Sequence, residues 1–293
     1  MITVGIPAYR CRDILWLALD SLAAQADAPP WELVVYEDAA EPAGEGLVRQ
    51  YEEAMSSAGC TGIAYGYNKE RQPLSAKWRQ IGHMAGSASE LTCLQGADDY
   101  SAPDRLRVTW NAWCRHERTP DWLHYSRGYF WDCAGGQMSI YDRTGPGKTT
   151  GVGMALPTTV MRCLPAGEVW RGCDGWLQAH ALAVSGRSEL KICELPGWAG
   201  HLYTDGFNTC SAGRFQQGAL GMHGFTPESG LGPSTIIPAV AAHRLRELRP
   251  MARRNRLRVL RERMAKAMRK ERAYREQAAA INVTMHELMG EWI

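Results

Sequence analysis

Apolar and polar positions follow two patterns along the first hundred residues. Short continuous apolar runs, bounded by polar or turn residues, predict buried strands at residues 2–6, 33–36, 62–67 and 91–94. Between them, apolar residues recur at helical spacing and predict helices near residues 14–22, 47–57 and 75–88. Strands that alternate with helices predict an α/β domain, with a doubly wound, mostly parallel sheet and helices on both faces.

The second half of the chain carries a weaker pattern. A strand at residues 151–156 and a short helix from Thr158 are predicted, and helical spacing returns from residue 238 to about 280, with a start or interruption near Pro250. The stretch between these parts is rich in Gly, Ser, Thr and Pro, which is typical of an irregular lid or linker. The chain is therefore divided into a domain of residues 1–204, a lid or linker of residues 205–237 and a helical tail of residues 238–293.

Charge is distributed unevenly along the chain. Residues 243–276 contain fourteen Lys or Arg and four Glu, a net +10, whereas the remainder has 19 basic and 27 acidic residues, a net −8. An apolar stripe runs through this basic helix at Leu257, Leu260, Met264, Ala267 and Met268. One interpretation is that the helix binds a polyanion, such as nucleic acid or a membrane rich in acidic lipid. The alternative is that the stripe packs on the acidic body or on a second subunit, while the arginines are merely solvated.

Composition and termini indicate a cytoplasmic protein. The chain is 45% hydrophobic and 22% charged, as in ordinary soluble globular proteins. No apolar run approaches the ~20 residues that cross a bilayer, and the start lacks the basic-then-apolar order of a signal peptide. The nine cysteines form no CxxC pair, which favours reduced thiols over a disulfide framework or a zinc site.

Two adjacent carboxylates, Asp98 and Asp99, follow the fourth predicted strand. Open α/β sheets bind ligands at the carboxyl ends of their strands. Paired carboxylates there suit Mg²⁺ or Mn²⁺, which commonly also hold substrate phosphates. The alternative is a loop with two solvated acids, or an N-cap for the helix that follows Pro103.

Four motifs in the first hundred residues support the ligand interpretation. They are VGIPAYR at residues 4–10, VVYED at 34–38, LSAKW at 74–78 and QGADDY at 95–100. In this order they resemble the family 2 glycosyltransferases, which have the GT-A fold, a start similar to V-x-I-P-x-Y-N and a D-x-D motif after the fourth strand. Arg10 stands where the family often has Asn. Gly96 replaces the first Asp of D-x-D, so Asp98 is the retained acid and Asp99 or a residue elsewhere would have to assist it.

The resemblance implies a nucleotide-sugar site in residues 1–100 and an acceptor half in residues 101–204. Donor binding, most simply of a UDP-sugar, is assigned to five residues: Pro7, Tyr9, Asp38, Lys77 and Asp98. The cofactor implied is Mn²⁺ or Mg²⁺, held by Asp98, Asp99 and His201. Lys77 could instead lie on a solvated helix face, and His201 could be a structural histidine.

The segment Trp170 to Leu177 resembles the family's acceptor-side motif, whose Asp is the catalytic base of inverting members. Asp174 matches that Asp. A carboxylate beside tryptophans can have a raised pKa, which suits a general base. The alternative is that Asp174 caps a helix.

The sequence thus predicts an inverting glycosyltransferase that uses a nucleotide-diphosphate sugar. Its acceptor is open: DNA bearing hydroxylated bases is one option, with the basic tail on phosphates, and another polyanionic or surface acceptor is a second. The competing hypothesis is a non-catalytic GT-A-like module that binds nucleic acid through residues 243–276. The same helix offers a surface for oligomer formation.

Overall fold

The computed structural model describes residues 1–38, 42, 44–142, 153–170, 173–196, 202–205, 225–228 and 233–290. Its strands are β1 (Ile2–Ala8), β2 (Trp31–Asp38), β3 (Cys60–Asn68), β4 (Leu91–Leu94), β5 (Asp99–Tyr100), β6 (Trp122–His124), β7 (Arg127–Asp132), β8 (Gln137–Asp142), β9 (Ala155–Pro157), β10 (Ile192–Glu194), β11 (Leu202–Asp205) and β12 (Phe225–Glu228). Its α-helices are α1 (Leu15–Ala23), α2 (Glu45–Gln50), α3 (Glu52–Ser57), α4 (Leu74–Met84), α5 (Arg105–Arg115), α6 (Thr158–Arg162), α7 (Cys173–Ser185), α8 (Ala239–Glu247) and α9 (Arg249–Gly290). A 3₁₀ turn spans Pro233–Thr235.

A seven-stranded sheet, in the order β10-β6-β9-β4-β1-β2-β3, forms the centre of the fold. Strand β1 runs parallel to β2 and β4, and β2 runs parallel to β3. Strand β9 is antiparallel to both β4 and β6. The predicted doubly wound, mostly parallel α/β sheet is therefore confirmed.

Alternate residues of the central strands pack on opposite faces of this sheet. In β2, Leu33 and Val35 belong to one apolar cluster, with helix α1, while Val34 belongs to the other, with helix α4. Both faces are covered, which explains why the strand is a continuous apolar run instead of an alternating one. Helix α4 also approaches β1 closely, since a Cβ on Gly5 would lie 2.5 Å from the Ile81 side chain.

A second sheet of five strands, in the order β12-β8-β7-β11-β5, was not predicted from the sequence. Its centre is the antiparallel pair β7 and β8. Its edge strand β5 is only two residues long and pairs with β11, so that Asp99 lies opposite Tyr203. Because β5 follows β4 after a four-residue loop, the two acids lie where the two sheets meet.

The C-terminal helices begin on the body of the protein and then leave it. Leu245 and Ala252 are buried against it, and Arg256 forms a buried ion pair with Asp132 at the end of β7. The predicted helix with a break near Pro250 is confirmed, because α8 ends at Glu247 and α9 starts at Arg249. Among the described residues, no helix combines the length and the apolar character that crossing a membrane requires.

Beyond Arg256 the apolar stripe is exposed. Met264 is 64% and Tyr274 69% accessible, and Leu257, Leu260 and Met268 are also exposed. The alternative in which this stripe packs on the acidic body is therefore wrong for the side chains that the structure describes, which extend to residue 277.

Candidate functional site

The candidate site lies where β1, β2 and β4 end at the same edge of the central sheet. Ala8 at the end of β1 pairs with Glu37, one residue before the end of β2, and Gly5 pairs with Leu94 at the end of β4. Tyr9 follows β1 directly, and the Asp98–Asp99 pair lies at the junction of the loop after β4 with β5. This edge is the usual ligand crevice of an open α/β sheet.

Asp38 and Lys77 form a buried ion pair at this edge. The Lys77 ammonium donates to Asp38 Oδ1 at 2.7 Å and to the Ala8 carbonyl at 3.3 Å. Asp38 Oδ2 accepts from the Gln72 backbone N–H at 2.6 Å. Both side chains are buried, so the solvated-face alternative for Lys77 is wrong. The pair joins the ends of β1 and β2, and removing one partner of such a pair typically costs about 3–5 kcal/mol.

Tyr9 lies among three cations, one of which also contacts a tryptophan. The Arg71 guanidinium is 4.5 Å from the centre of the Tyr9 ring and 5.2 Å from that of Trp170, which is exposed. Arg10 and Lys77 lie 5.2 and 5.6 Å from the Tyr9 ring. Planar rings and guanidinium groups of this kind can accept a stacked base or the charge of a phosphate. Sequence reasoning missed Arg71, because it lies in the loop before α4 and matches no motif.

Arg10 adopts a backbone conformation that is unusual for its residue type. Its φ is +49°, in the left-handed region that Asn and Gly enter more readily than Arg. This conformation gives a physical reason why the family 2 glycosyltransferases, which the sequence resembles, often have Asn at this position.

The segment before α7 is tied to the first turn of α4. The Ser75 hydroxyl donates to the Gly167 carbonyl at 2.7 Å and accepts from the Val169 N–H at 3.0 Å. Since Trp170 follows directly, this link places it beside Arg71. Asp174 lies four residues further, which limits its Cα to about 14 Å from that of Trp170.

Asp174 is the second residue of α7 and lies in its first turn. Its side chain is accessible to solvent, yet surrounding protein displaces much of the nearby water. This desolvation raises the pKa of Asp174 above its usual value of 3.8. A carboxylate that water can reach but only partly solvate is what a general base in a cleft requires.

Asp98 and Asp99 are buried, with 7% and 8% of their surfaces accessible. Asp99 begins β5, and the N-cap of α5 is Asp104. Both alternatives, two solvated acids or an Asp99 N-cap, are therefore wrong. The two acids are instead buried at the edge of the sheet where β4 ends.

The loop that carries the two acids is held by a buried arginine. Arg105 is fully buried and donates to Gln95 Oε1 at 3.0 Å and to the Leu94 carbonyl at 2.7 Å. Gln95 Nε2 in turn donates to the Asp99 carbonyl at 3.0 Å. Sequence reasoning missed both residues, although an Arg in the first turn of a helix, where acids are favoured, was an available signal.

Two carboxylates and the Lys77 cation lie near the Cys11 thiol. Burial, followed by the charges of Glu37 and Asp98, raises the pKa of the Cys11 thiol to about 12, so the thiol is neutral. Glu37 is buried and its Oε2 accepts from the Gly44 N–H at 2.9 Å and from the Tyr65 hydroxyl. Its Oε1 has no hydrogen-bond partner among the described residues.

Gly96 has no room for a side chain. A Cβ at this position would lie 2.2 Å from Asp99 Oδ2 and 3.2 Å from Asp98 Oδ1. The Asp99 carboxylate thus fills the place where the first Asp of a D-x-D motif would begin. Asp99 follows Asp98 in the sequence, but its carboxylate is the group that lies next to Gly96 in the structure.

We expect Gly96→Ala to impair the site without unfolding the protein. The added methyl group must displace the Asp99 carboxylate, so the metal-dependent binding of UDP that the resemblance implies should weaken by about 10-fold or more, a change of ~1.4 kcal/mol. Isothermal titration of UDP in the presence of Mn²⁺ measures this. Gly46→Ala, where a Cβ meets nothing within 4 Å, is the control. Unchanged affinity in Gly96→Ala would show that Asp99 does not contribute.

Pro7 and His201 are the two remaining predicted site residues. Pro7 lies in β1, opposite Tyr36 of β2, one residue before the strand ends. His201 lies outside the described residues. Among the residues that the structure describes, no three His, Cys, Asp or Glu side chains are grouped so that they could hold a metal ion.

Comparison with known proteins agrees with this fold. Residues 3–132 match the model of the family described as Glycosyl transferase family 2. The crystal structure of S. aureus TarS matches with a TM-score of 0.51 at 14% identity, covering 80% of this chain and 41% of that chain. S. aureus TarS 1-349 in complex with UDP matches with a TM-score of 0.50 at 15% identity, covering 69% and 60% of the two chains.

A third solved structure is more distant in shape. The mannosyltransferase PcManGT from Pyrobaculum calidifontis, in complex with GDP-Man and Mn²⁺, has a TM-score of 0.46 at 15% identity and covers 90% of this chain and 75% of that chain. The chain spans less than two thirds of either TarS chain, 41% and 60%. No curated protein sequence matches the chain described here.

Proposed function

We propose that residues 3–132, which match the model of Glycosyl transferase family 2, form a glycosyltransferase domain with the GT-A fold, and that the protein transfers a sugar from a nucleotide-diphosphate sugar to an acceptor hydroxyl. The observation that carries the proposal is the buried pair Asp98–Asp99 at the same sheet edge as Tyr9 and the Asp38–Lys77 ion pair. The proposed donor is a UDP-sugar, which is supported by the UDP bound in one structure of similar fold.

The donor is proposed to bind along this edge. Tyr9 and Trp170, whose rings both lie near the Arg71 guanidinium, offer flat surfaces to the base, and Pro7 lies two residues before Tyr9 in β1. Asp38 is held in place by Lys77 and Gln72. The Arg10 and Arg71 cations give this side of the site positive charge that suits a diphosphate, whereas the charge of Lys77 is balanced by Asp38.

The described residues fit a divalent cation. Mg²⁺ or Mn²⁺ in phosphate-handling sites is usually bound by one or two carboxylates together with substrate phosphates. Asp98 and Asp99 supply those carboxylates, and His201 is the proposed additional ligand. When bound, the cation would stabilise the negative charge that develops on the departing diphosphate.

Asp174 is the proposed general base. Its carboxylate takes the proton of the acceptor hydroxyl as the acceptor oxygen forms a bond to the anomeric carbon. The bond from that carbon to the diphosphate breaks on the opposite face, so the anomeric configuration inverts. The raised pKa of Asp174 makes it a stronger base than a fully solvated aspartate.

The proposed acceptor is a hydroxyl on a polyanion, with DNA bearing hydroxylated bases as one such molecule. The support is the exposed basic surface of α9, which includes Arg258, Arg261, Lys266, Arg269 and Arg272. Phosphate backbones attract such surfaces. A non-catalytic module that binds nucleic acid would need only this helix. The buried acid pair favours an enzyme, because burying two carboxylates costs free energy that a remote binding helix does not require.

Release of UDP from UDP-sugars tests the proposed function. With Mn²⁺ and no acceptor, we expect slow hydrolysis of UDP-glucose or UDP-N-acetylglucosamine that EDTA abolishes, because water can replace the acceptor. UDP with Mn²⁺ should also stabilise the folded protein, by about 2.7 kcal/mol at a hundred times its Kd. If neither hydrolysis nor thermal stabilisation occurs with UDP, GDP, CDP or dTDP sugars, the enzyme proposal fails and the binding-module hypothesis replaces it.

A further inference from the structure

The part of α9 beyond the body has an apolar stripe that is exposed to solvent. Five of its large apolar side chains are exposed: Leu257, Leu260, Met264, Met268 and Tyr274. Ion pairs between residues four apart, such as Arg272–Glu276 and Arg275–Glu271, support the helix, but exposed pairs of this kind contribute little to stability. Long helices in proteins obtain most of their stability from packing of one face. The stripe therefore requires a partner.

The spacing of the stripe is that of a coiled coil. Successive residues of the stripe are spaced alternately three and four positions apart. They are Leu257, Leu260, Met264, Ala267, Glu271, Tyr274, Ala278, Ile281, Met285 and Leu288. They occupy the a and d positions of successive heptads, and Glu271 is the only charged residue among them. The helix continues to Gly290, so all ten positions lie on it.

This spacing favours a helical partner over a flat surface. A strict seven-residue repeat drifts by about 20° per heptad around a straight α-helix. Over the four heptads of this stripe the drift is about 80°, so a membrane surface could meet only part of it. A second helix that supercoils around α9 can follow the whole stripe.

A second copy of the same helix fits best in the antiparallel direction. A parallel pair would place Glu271 against Glu271 and Lys270 beside Arg275, which sets like charges together. In the fully overlapped antiparallel pair, Glu271 of one copy faces Tyr274 of the other, whose hydroxyl can donate to it. The remaining layers join residue 257 with 288, 260 with 285, 264 with 281, and 267 with 278.

The flanking positions agree with this direction. In the antiparallel register the e and g positions meet as Arg261 with Asn282, Arg263 with Thr284, Met268 with Arg275, and Lys270 with Gln277. The basic half of each helix thus lies beside the neutral half of the other. The two bodies, each with net charge −8 outside residues 243–276, are then at opposite ends of a helix pair about 46 Å long.

We propose that residues 257–288 of α9 pair with the same residues of a second copy in an antiparallel coiled coil. The inference does not depend on the proposed function, because it uses only the helix and its exposure. The outward b, c and f positions, among them Arg258, Lys266, Arg269 and Arg272, stay accessible in this dimer.

Sedimentation equilibrium of the full-length protein tests the proposal. We expect twice the 32.5 kDa mass of one chain. Met264→Glu and Ile281→Lys should each shift the dissociation constant upward by at least 100-fold. The double variant Met264→Glu/Ile281→Lys should regain the dimer, because antiparallel pairing places each new Glu beside a new Lys. Lys266→Gln, at an outward position, should remain dimeric.

Several outcomes would overturn the proposal. A wild-type protein that is monomeric at 100 µM, or trimeric, excludes the dimer, and sedimentation of that monomer with vesicles of anionic phosphatidylserine or with duplex DNA would assign the stripe to that surface. A double variant that stays monomeric excludes the antiparallel register. The thermal transition of the body should be the same in all variants, because Met264 lies beyond the part of α9 that docks on it.

Discussion

Asp98→Asn is expected to lower the rate of donor turnover by about 10²–10³-fold, the usual cost of removing one group that stabilises charge in a transition state. The amide keeps the shape of the buried side chain but removes the negative charge that the proposed cation needs. Initial rates of UDP release, measured over a series of Mn²⁺ concentrations, should show both a lower maximum and a higher half-saturating concentration of Mn²⁺.

A matched carboxylate distinguishes this effect from a general loss of charge. Glu53 is exposed on α3, and Glu53→Gln should leave turnover unchanged. Asp98→Asn should also stay folded, because the amide has the same size and shape as the buried carboxylate. If Asp98→Asn turned over the donor at the wild-type rate, the role of the acid pair at the end of β4 would have to be abandoned.

Asp174→Asn is expected to lower transfer to an acceptor by about 10²–10⁴-fold, the range for loss of a general base. The effect on pH dependence follows from the raised pKa of Asp174. The protonated carboxyl cannot accept a proton, so wild-type kcat should rise with pH through that pKa, at a higher pH than a solvated Asp would give. The profile of kcat against pH measures this, and the variant should lack this rise.

Stability provides an independent check on the same residue. Because the folded-state pKa of Asp174 lies above its unfolded value, the ionised carboxylate disfavours the folded state. Asp174→Asn should therefore have a higher Tm than wild type at pH 7, and the difference should vanish below the unfolded pKa, where Asp174 is protonated in both states. Glu189→Gln, an exposed acid beyond α7, should change neither property. A lower Tm at pH 7 in Asp174→Asn would contradict the desolvated position.

The parallel half of the fold could be predicted because its strands are buried on both faces. Leu33, Val34 and Val35 need apolar neighbours above and below the sheet, and a continuous apolar run is the consequence. The second sheet could not be predicted in the same way. Strands β7 and β8 mix aromatic, charged and small residues, and β5 has two residues, too few for any periodicity.

The candidate site, too, could be predicted only in part from the sequence. Motifs identify Asp38, Lys77 and Asp98, since Asp38 ends a strand, Asp98 follows a strand and Lys77 lies in the first turns of a helix. The ion pair between Asp38 and Lys77 joins residues 39 apart in the chain, and no local pattern predicts it. The contacts of Arg71 and the burial of Arg105 likewise depend on how helices pack against strand ends.

The amino-acid sequence by itself determined the alternation of strands and helices, the acids after the fourth strand and the heptad spacing of the last helix. These are local properties, set by the 2.0- and 3.6-residue periods of the backbone and by turn chemistry. Only the tertiary structure decided that Asp99 occupies the space beside Gly96, that Lys77 is consumed by an ion pair and that the stripe beyond Arg256 is exposed. Each of these depends on which distant segments come into contact, and that depends on the packing of the whole chain and not on any one stretch of it.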